Sequence, residues 1–137
     1  MSILVDTCVW SLGFRRKRVD LSPAQLAASD ELYRLMDRDE AVMMGCIRQE
    51  LLSGIRDTAQ FNWVKDDVYD YQDIQPHKDD YIKAASFKNQ CASRGIVGSP
   101  IDLLICAVAE RDSLPIFTID KDFKRFAEFL PIVLHRW

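Results

Sequence analysis

A chain of 137 residues, 48% hydrophobic and 28% charged, has the composition of an ordinary globular protein and leaves room for a single core, so one domain over residues 1–137 is expected. The net charge of −3 at pH 7 excludes a general basic surface; a phosphate backbone could be handled only with divalent cations and local basic patches to offset the acidity. No apolar run approaches the roughly 18–20 residues that span a bilayer, and Met1 to Asp6 turns acidic too soon for a signal peptide, so the cytoplasm is the expected compartment and no membrane partner is expected.

In chain order, Ile3-Leu4-Val5 is an apolar run that stops at Asp6, as a buried parallel strand does. Arg15-Arg16-Lys17-Arg18 lies in a polar stretch without helical period. Ser22-Pro23-Ala24-Gln25 supplies an N-cap, a proline at the first helical position and a glutamine at the third, predicting a helix over 23–38. Ala41 to Met44 reads as a second strand broken by Gly45, and Ile47 to Ser53 as a short helix ending at Gly54. A helix over 58–69 and a brief extended piece from Tyr71 to Ile74 follow. The pattern is helical again from Asp79 to Ser93 and closes on Arg94-Gly95. Ser99-Pro100-Ile101-Asp102 opens a helix running to about Asp112, with a capping-box pattern. Pro115 to Thr118 reads as a strand, Lys121 to Phe129 as a helix, and Ile132 to Leu134 as a last strand. Strands alternating with helices predict an α/β domain, a mainly parallel sheet with helices on both faces.

The cysteines and histidines carry little chemistry. Cys8, Cys46, Cys91 and Cys106 are scattered without a C-x-x-C pair, which favours reduced thiols over a disulfide framework or a thiolate metal site. His77 and His135 lack ligand spacing for zinc.

The acidic residues are more informative. In open α/β sheets ligands sit outside the carboxyl ends of the strands. Asp6 ends the first strand, Glu50 lies in the helix after the second, Asp102 opens a helix after the Gly95–Gly98 loop, and Asp120 follows the strand ending at Thr118. Singly, each has a plainer role: Asp102 as the acid of a capping box, Glu50 as a solvated helix residue, Asp120 as an N-cap, Asp6 as a turn residue beside Thr7. Jointly they predict a cluster. Two unit charges about 4 Å apart repel by roughly 1 kcal/mol in water and roughly 4 kcal/mol at intermediate dielectric, so gathered carboxylates suit a hard divalent cation such as Mg²⁺ or Mn²⁺. A cation so held can activate water and stabilise a leaving oxygen, which phosphodiester hydrolysis requires.

Asp6-Thr7 after an apolar strand, Glu50-Leu51-Leu52-Ser53-Gly54, Ile101-Asp102-Leu103-Leu104-Ile105 and Thr118-Ile119-Asp120-Lys121-Asp122-Phe123 resemble, in order and spacing across the whole chain, the PIN-domain ribonucleases, and among them the VapC-type toxins of toxin–antitoxin pairs. The resemblance implies a three-layer α/β/α fold and a Mg²⁺- or Mn²⁺-dependent endoribonuclease acting on structured RNA such as tRNA or ribosomal RNA. It further implies a homodimer and a cognate antitoxin that blocks the site. Carried over by position, Asp6, Glu50, Asp102 and Asp120 form the catalytic and metal-binding acids, with Thr118 as a polar helper. Thr7 fills a position where the family has serine or threonine, and Asp122 is either an outer participant through water or an exposed companion.

Arg15, Arg16, Lys17 and Arg18 are candidates for RNA-backbone contact, set against a solvated loop; Arg48 and Arg56 beside the Glu50 helix share that ambiguity. Trp10 and Phe14 offer either antitoxin contacts or core and dimer packing. A haloacid-dehalogenase-type phosphatase would need a second aspartate where Cys8 stands, and a receiver-like domain an acidic pair near the first strand. The alternative that survives is a PIN-fold RNA-binding or regulatory module with little nuclease activity.

Overall fold

The computed structural model describes residues 1–137. Its sheet is built from β1 (Ile3–Val5), β2 (Ala41–Met44), β3 (Asp73–Ile74) and β4 (Ile116–Phe117), all parallel and in the order β3-β2-β1-β4. Leu4 sits opposite Val42 on one side and Ile116 on the other. All three β1 residues are buried, which is why that strand reads as an unbroken apolar run.

The chain lays β2 and β3 outward on one side of β1, then returns to place β4 on the other side. The carboxyl ends of β1 and β4 therefore form the topological switch point, where α/β sheets open a crevice. Helices α1 (Thr7–Phe14), α2 (Pro23–Asp37), α3 (Gly45–Ser53) and α4 (Thr58–Asp67) pack on one another, as do α5 (Lys78–Ser93) and α6 (Pro100–Arg111); α7 (Lys121–Ala127) follows β4. The result is a three-layer α/β/α fold around a parallel sheet, the architecture the alternating pattern predicts.

Most helices begin where their caps require. Ser22 and Gln25 form the reciprocal capping box of α2, with bonds of 2.9 and 3.2 Å. Gly95, at φ +71°, follows α5 in the left-handed conformation that glycine adopts freely. At α6 the box is only half made: the Asp102 N–H donates to Ser99 Oγ at 3.1 Å, but nothing returns from the Asp102 carboxylate to the Ser99 backbone. That carboxylate meets the cap through the Ser99 hydroxyl rather than through its backbone. α6 is tied to α5 by the ion pair of Arg111 with the buried Asp80.

Two elements depart from the sequence expectation. α1 begins directly after Asp6, in a stretch with no amphipathic signal: Val9, Trp10, Leu12 and Phe14 are all buried, so the helix is apolar around most of its girth and shows no polar stripe. The expected last strand at 132–134 shrinks to one bridge, Ile116 with Leu134, in which the Ile116 N–H donates to the Val133 carbonyl and the Ile116 carbonyl accepts the His135 N–H; the segment has only the two-residue β4 to pair with. Trp10 and Phe14 are core residues, members of a cluster of 35 buried side chains; the Trp10 indole N–H donates to the Val5 carbonyl at 3.0 Å.

No helix is long and apolar enough to cross a membrane.

Candidate active site

The site is built from the chain ends of β1 and β4. Asp6 leaves β1 in an extended conformation and caps α1. Its carboxylate is 7% exposed, and both oxygens are held. Oδ1 accepts the Thr7 N–H at 2.8 Å. Oδ2 accepts the Thr118 hydroxyl at 2.9 Å and the Cys8 thiol at 3.3 Å. Leu4 and Val5 pair with Ile116 and Phe117, so the next residues on each strand, Asp6 and Thr118, are adjacent by register. Burial pushes the Asp6 carboxyl up, the bonds from Cys8, Thr118 and Thr7 pull it down, and the charge of Asp120 adds to the rise.

Thr118 works in two directions, donating to Asp6 while its oxygen accepts the Asp120 backbone N–H at 3.0 Å. Asp120 caps α7 through Oδ1, which accepts the Asp122 N–H at 2.9 Å. Asp120 is thus the N-cap of α7, and Thr118 holds its backbone close to Asp6. Asp122 enters through its backbone; its carboxylate is not among those acting on Asp6, Glu50 or Asp102.

Asp102 and Glu50 complete the group. The half-buried Asp102 carboxyl is pushed up to about 6, first by burial and then by the charges of Asp6, Asp120 and Glu50, against the pull of the Ser99 hydroxyl. Glu50, on the more open α3, is raised by burial and by Asp6, with the nearby Thr7 hydroxyl pulling the other way. Asp6, Glu50 and Asp102, from distant parts of the chain, are thus each raised in part by a neighbouring acid. They are not closed into a coordination shell: no three of the His, Cys, Asp or Glu side chains are arranged to hold a metal ion.

The donor set nevertheless suits a hard cation. The available atoms are carboxylate oxygens and threonine hydroxyls, and the buried Thr7 Oγ1 lies near Glu50 without making a hydrogen bond of normal geometry. Burial and Asp6 push the Cys8 thiol up to about 12, and burial together with Glu50 raises Cys46, so without a bound cation both thiols are protonated near neutral pH.

Cys8 is the residue the sequence reasoning missed. It donates to Asp6 and stands 3.4 Å from Thr118 Oγ1, joining the two residues that define the site. Only its position two residues after Asp6, on the first turn of α1, could have marked it.

The arginines divide. Arg48 is corrected from a candidate RNA contact: its guanidinium bonds Asp73 Oδ1 at 2.8 Å, the Tyr71 carbonyl at 2.7 Å and the Val68 carbonyl at 2.8 Å, locking α3 to β3. Arg15, Arg16, Lys17 and Arg18 are exposed beyond the far end of α1, about 12 Å along the helix axis from Asp6 at 1.5 Å per residue. Arg18 pairs with Asp30 at 2.9 Å. The Arg15 guanidinium lies over Gly54, where a Cβ would fall 1.9 Å from Nη2, so a side chain there would displace the flexible Arg15. Arg56 is exposed.

With this fold and acidic crevice, the chain belongs to the PIN domain family, whose model matches residues 3–129. Its fold is similar to that of VapBC2 from Rickettsia felis bound to a DNA fragment from their promoter, with a TM-score of 0.71 and 18% identity over 100% of this chain and 99% of that one. It is similar also to FitAcB from Neisseria gonorrhoeae, at 0.72 and 17% identity over 98% and 96% of the two chains. VapBC-5 from Mycobacterium tuberculosis, a member of the VapBC family of toxin–antitoxin systems, aligns at 0.69 and 22% identity over 99% and 98%. No curated protein matches the sequence.

Proposed function

We propose that this protein is a divalent-metal-dependent endoribonuclease and the toxin of a toxin–antitoxin pair, cutting structured RNA such as tRNA or ribosomal RNA. A fold alone does not define an activity. The observation that carries the reading is the linked unit at the switch point: Thr118 bridging Asp6 and Asp120, with Asp102 raised to about 6 by burial and its acidic neighbours. An arrangement that holds repelling carboxylates together serves a cation better than it serves stability. Membership of the PIN family and the likeness to VapBC and FitAcB structures support the toxin assignment.

In this reading Asp6, Glu50, Asp102 and Asp120 would hold Mg²⁺ or Mn²⁺, which when bound supplies Lewis acidity toward water and phosphate. Asp6 is kept in one orientation by Thr7, Thr118 and Cys8. Asp102, half-buried beside Asp6, Asp120 and Glu50, would add its carboxylate to the set that holds the cation. Thr118 holds the Asp6 carboxylate and the Asp120 backbone at a fixed spacing, so that a cation shared by the two carboxylates would meet a preset geometry. An antitoxin that blocks this acidic crevice and a second copy forming a homodimer belong to the same proposal, as does action in the cytoplasm.

The test is incubation of total RNA with antitoxin-free protein in Mg²⁺ or Mn²⁺ and in EDTA. Discrete fragments that vanish in EDTA are expected. Folded protein that leaves RNA intact with either metal would overturn the proposal in favour of a binding or regulatory module.

A further inference from the structure

An acidic chain that cuts RNA needs cations near its carboxylates, and the basic run at 15–18 lies at the end of α1 away from Asp6. A cavity of about 1210 Å³ lies elsewhere, between α7, the start of α2 and the C-terminal segment. It meets the acidic site directly, sharing Thr118 and Asp120 with it. Its walls carry Lys121, Lys124 and Arg136 together with Trp137.

We propose that this groove is the track along which a single-stranded segment of the RNA substrate runs into the acidic site. The inference rests on the nuclease reading and names the surface that holds the substrate. Charge complementarity is the first support. None of the ion pairs in the structure uses Lys121, Lys124 or Arg136, so their charge is available to phosphates. Lys121 and Lys124 are three apart on α7 and share a helix face, with Cβ atoms about 5–6 Å apart.

The second support is the aromatic wall. The Trp137 ring packs on Phe117 with centroids 4.6 Å apart, yet the residue is 52% exposed. An indole anchored on one side and open on the other is a stacking platform for a base, the other half of single-strand recognition. The wall is also built in advance. His135 Nε2 lies 2.7 Å from the buried Glu31 carboxylate, and Leu134 bridges to Ile116, so the terminal segment is held against the sheet. His135 is thereby engaged and is not one of the phosphate contacts.

Continuity selects nucleic acid over a protein occupant: a strand lying on Lys124 and Arg136 reaches Asp120 without leaving the groove, and the cut bond falls where the carboxylates are. The alternatives, an acidic protein segment or a second copy, become outcomes of the test.

Lys124→Glu/Arg136→Glu and Trp137→Ala would be compared with wild type on a single-stranded oligoribonucleotide containing the mapped cleavage site, with circular dichroism melts to confirm folding. The charge-reversal variant is expected to raise KM at least tenfold while kcat stays within about twofold. It should also flatten the dependence of log KM on log salt by about 1.4, about 0.7 per cation removed. Trp137→Ala is expected to raise KM about fivefold or more. Cleavage by all variants with unchanged KM and salt slope would overturn the groove assignment while leaving the nuclease reading intact. Variants that keep RNA affinity but lose self-association in light scattering would overturn it in favour of a protein interface. If the wild type cuts no RNA, the nuclease reading fails separately, and Kd for the same oligoribonucleotide by fluorescence anisotropy still tests the groove: unchanged Kd in the variants overturns it.

Discussion

Asp102→Asn separates stability from activity. The native carboxyl is raised from 3.8 to about 6, chiefly by burial and then by Asp6, Asp120 and Glu50. At about 1.4 kcal/mol per pKa unit, the rise corresponds to roughly 3 kcal/mol in the fully charged state; Asp102 is only half-buried, and solvent screening reduces this to about 1–2 kcal/mol. A carboxyl whose folded pKa lies above its unfolded value is least destabilising when protonated, so stability falls as pH rises from about 4 to about 6. In metal-free buffer Asp102→Asn should match wild type near pH 4 and exceed it by about 1–2 kcal/mol at pH 7, a Tm gain of roughly 3–8 °C for a chain of this size. Mg²⁺ at ten times its Kd would return about 1.4 kcal/mol to the wild type alone, closing most of the gap. Urea and thermal melts between pH 4 and 8, with EDTA and with Mg²⁺, measure this directly. A variant destabilised at pH 7 in EDTA, or a gap independent of pH, would refute the claim that Asp102 is strained by its acidic surroundings.

Thr118→Val removes the donor to Asp6 and the acceptor of the Asp120 N–H and should lower stability by about 1–3 kcal/mol, read by urea denaturation, with cleavage reduced more than tenfold. Cys8→Ser preserves a donor to Asp6 and should keep activity within a few-fold, whereas Cys8→Val should lose more kcat than KM; equal kinetics for the two would show that the thiol contact is incidental. Glu31 is held below its usual range by Arg34 and His135. Its stabilisation is present above about pH 4 and lost as pH falls through its lowered native pKa, so the wild-type advantage over Glu31→Gln in urea melts should shrink in acid. Trp10→Ala should cost about 3–5 kcal/mol, shown by an early thermal transition.

The legible parts of the fold were those where one physical signal dominates. The apolar run Ile3-Leu4-Val5, the capping box at Ser22 and the Arg94-Gly95 stop each reflect a single local requirement. α1 was hidden because its buried residues surround the helix and leave no polar stripe to count. The site was legible in position: Asp6, Asp102 and Asp120 follow strands or open helices, where an α/β sheet gathers its ligands. The linkage itself was not, because the Thr118 bridge depends on Leu4 and Val5 pairing with Ile116 and Phe117, a register across more than a hundred residues. The distribution of cations was equally hidden. Arg48 reads as a free basic residue beside Glu50, and only the fold of 68–73 consumes it; Lys124 and Arg136, unremarkable in sequence, come to line one groove with Thr118 and Asp120.

The most direct test of the central claim joins metal binding to turnover in one series. Mn²⁺ affinity by calorimetry and cleavage of total RNA would be measured for wild type, Asp6→Asn, Asp102→Asn and Asp120→Asn. The account predicts one binding event in the wild type, weakened by each substitution, with cleavage lost in parallel. Full cleavage by Asp6→Asn, or cleavage in wild type that persists in EDTA, would contradict it.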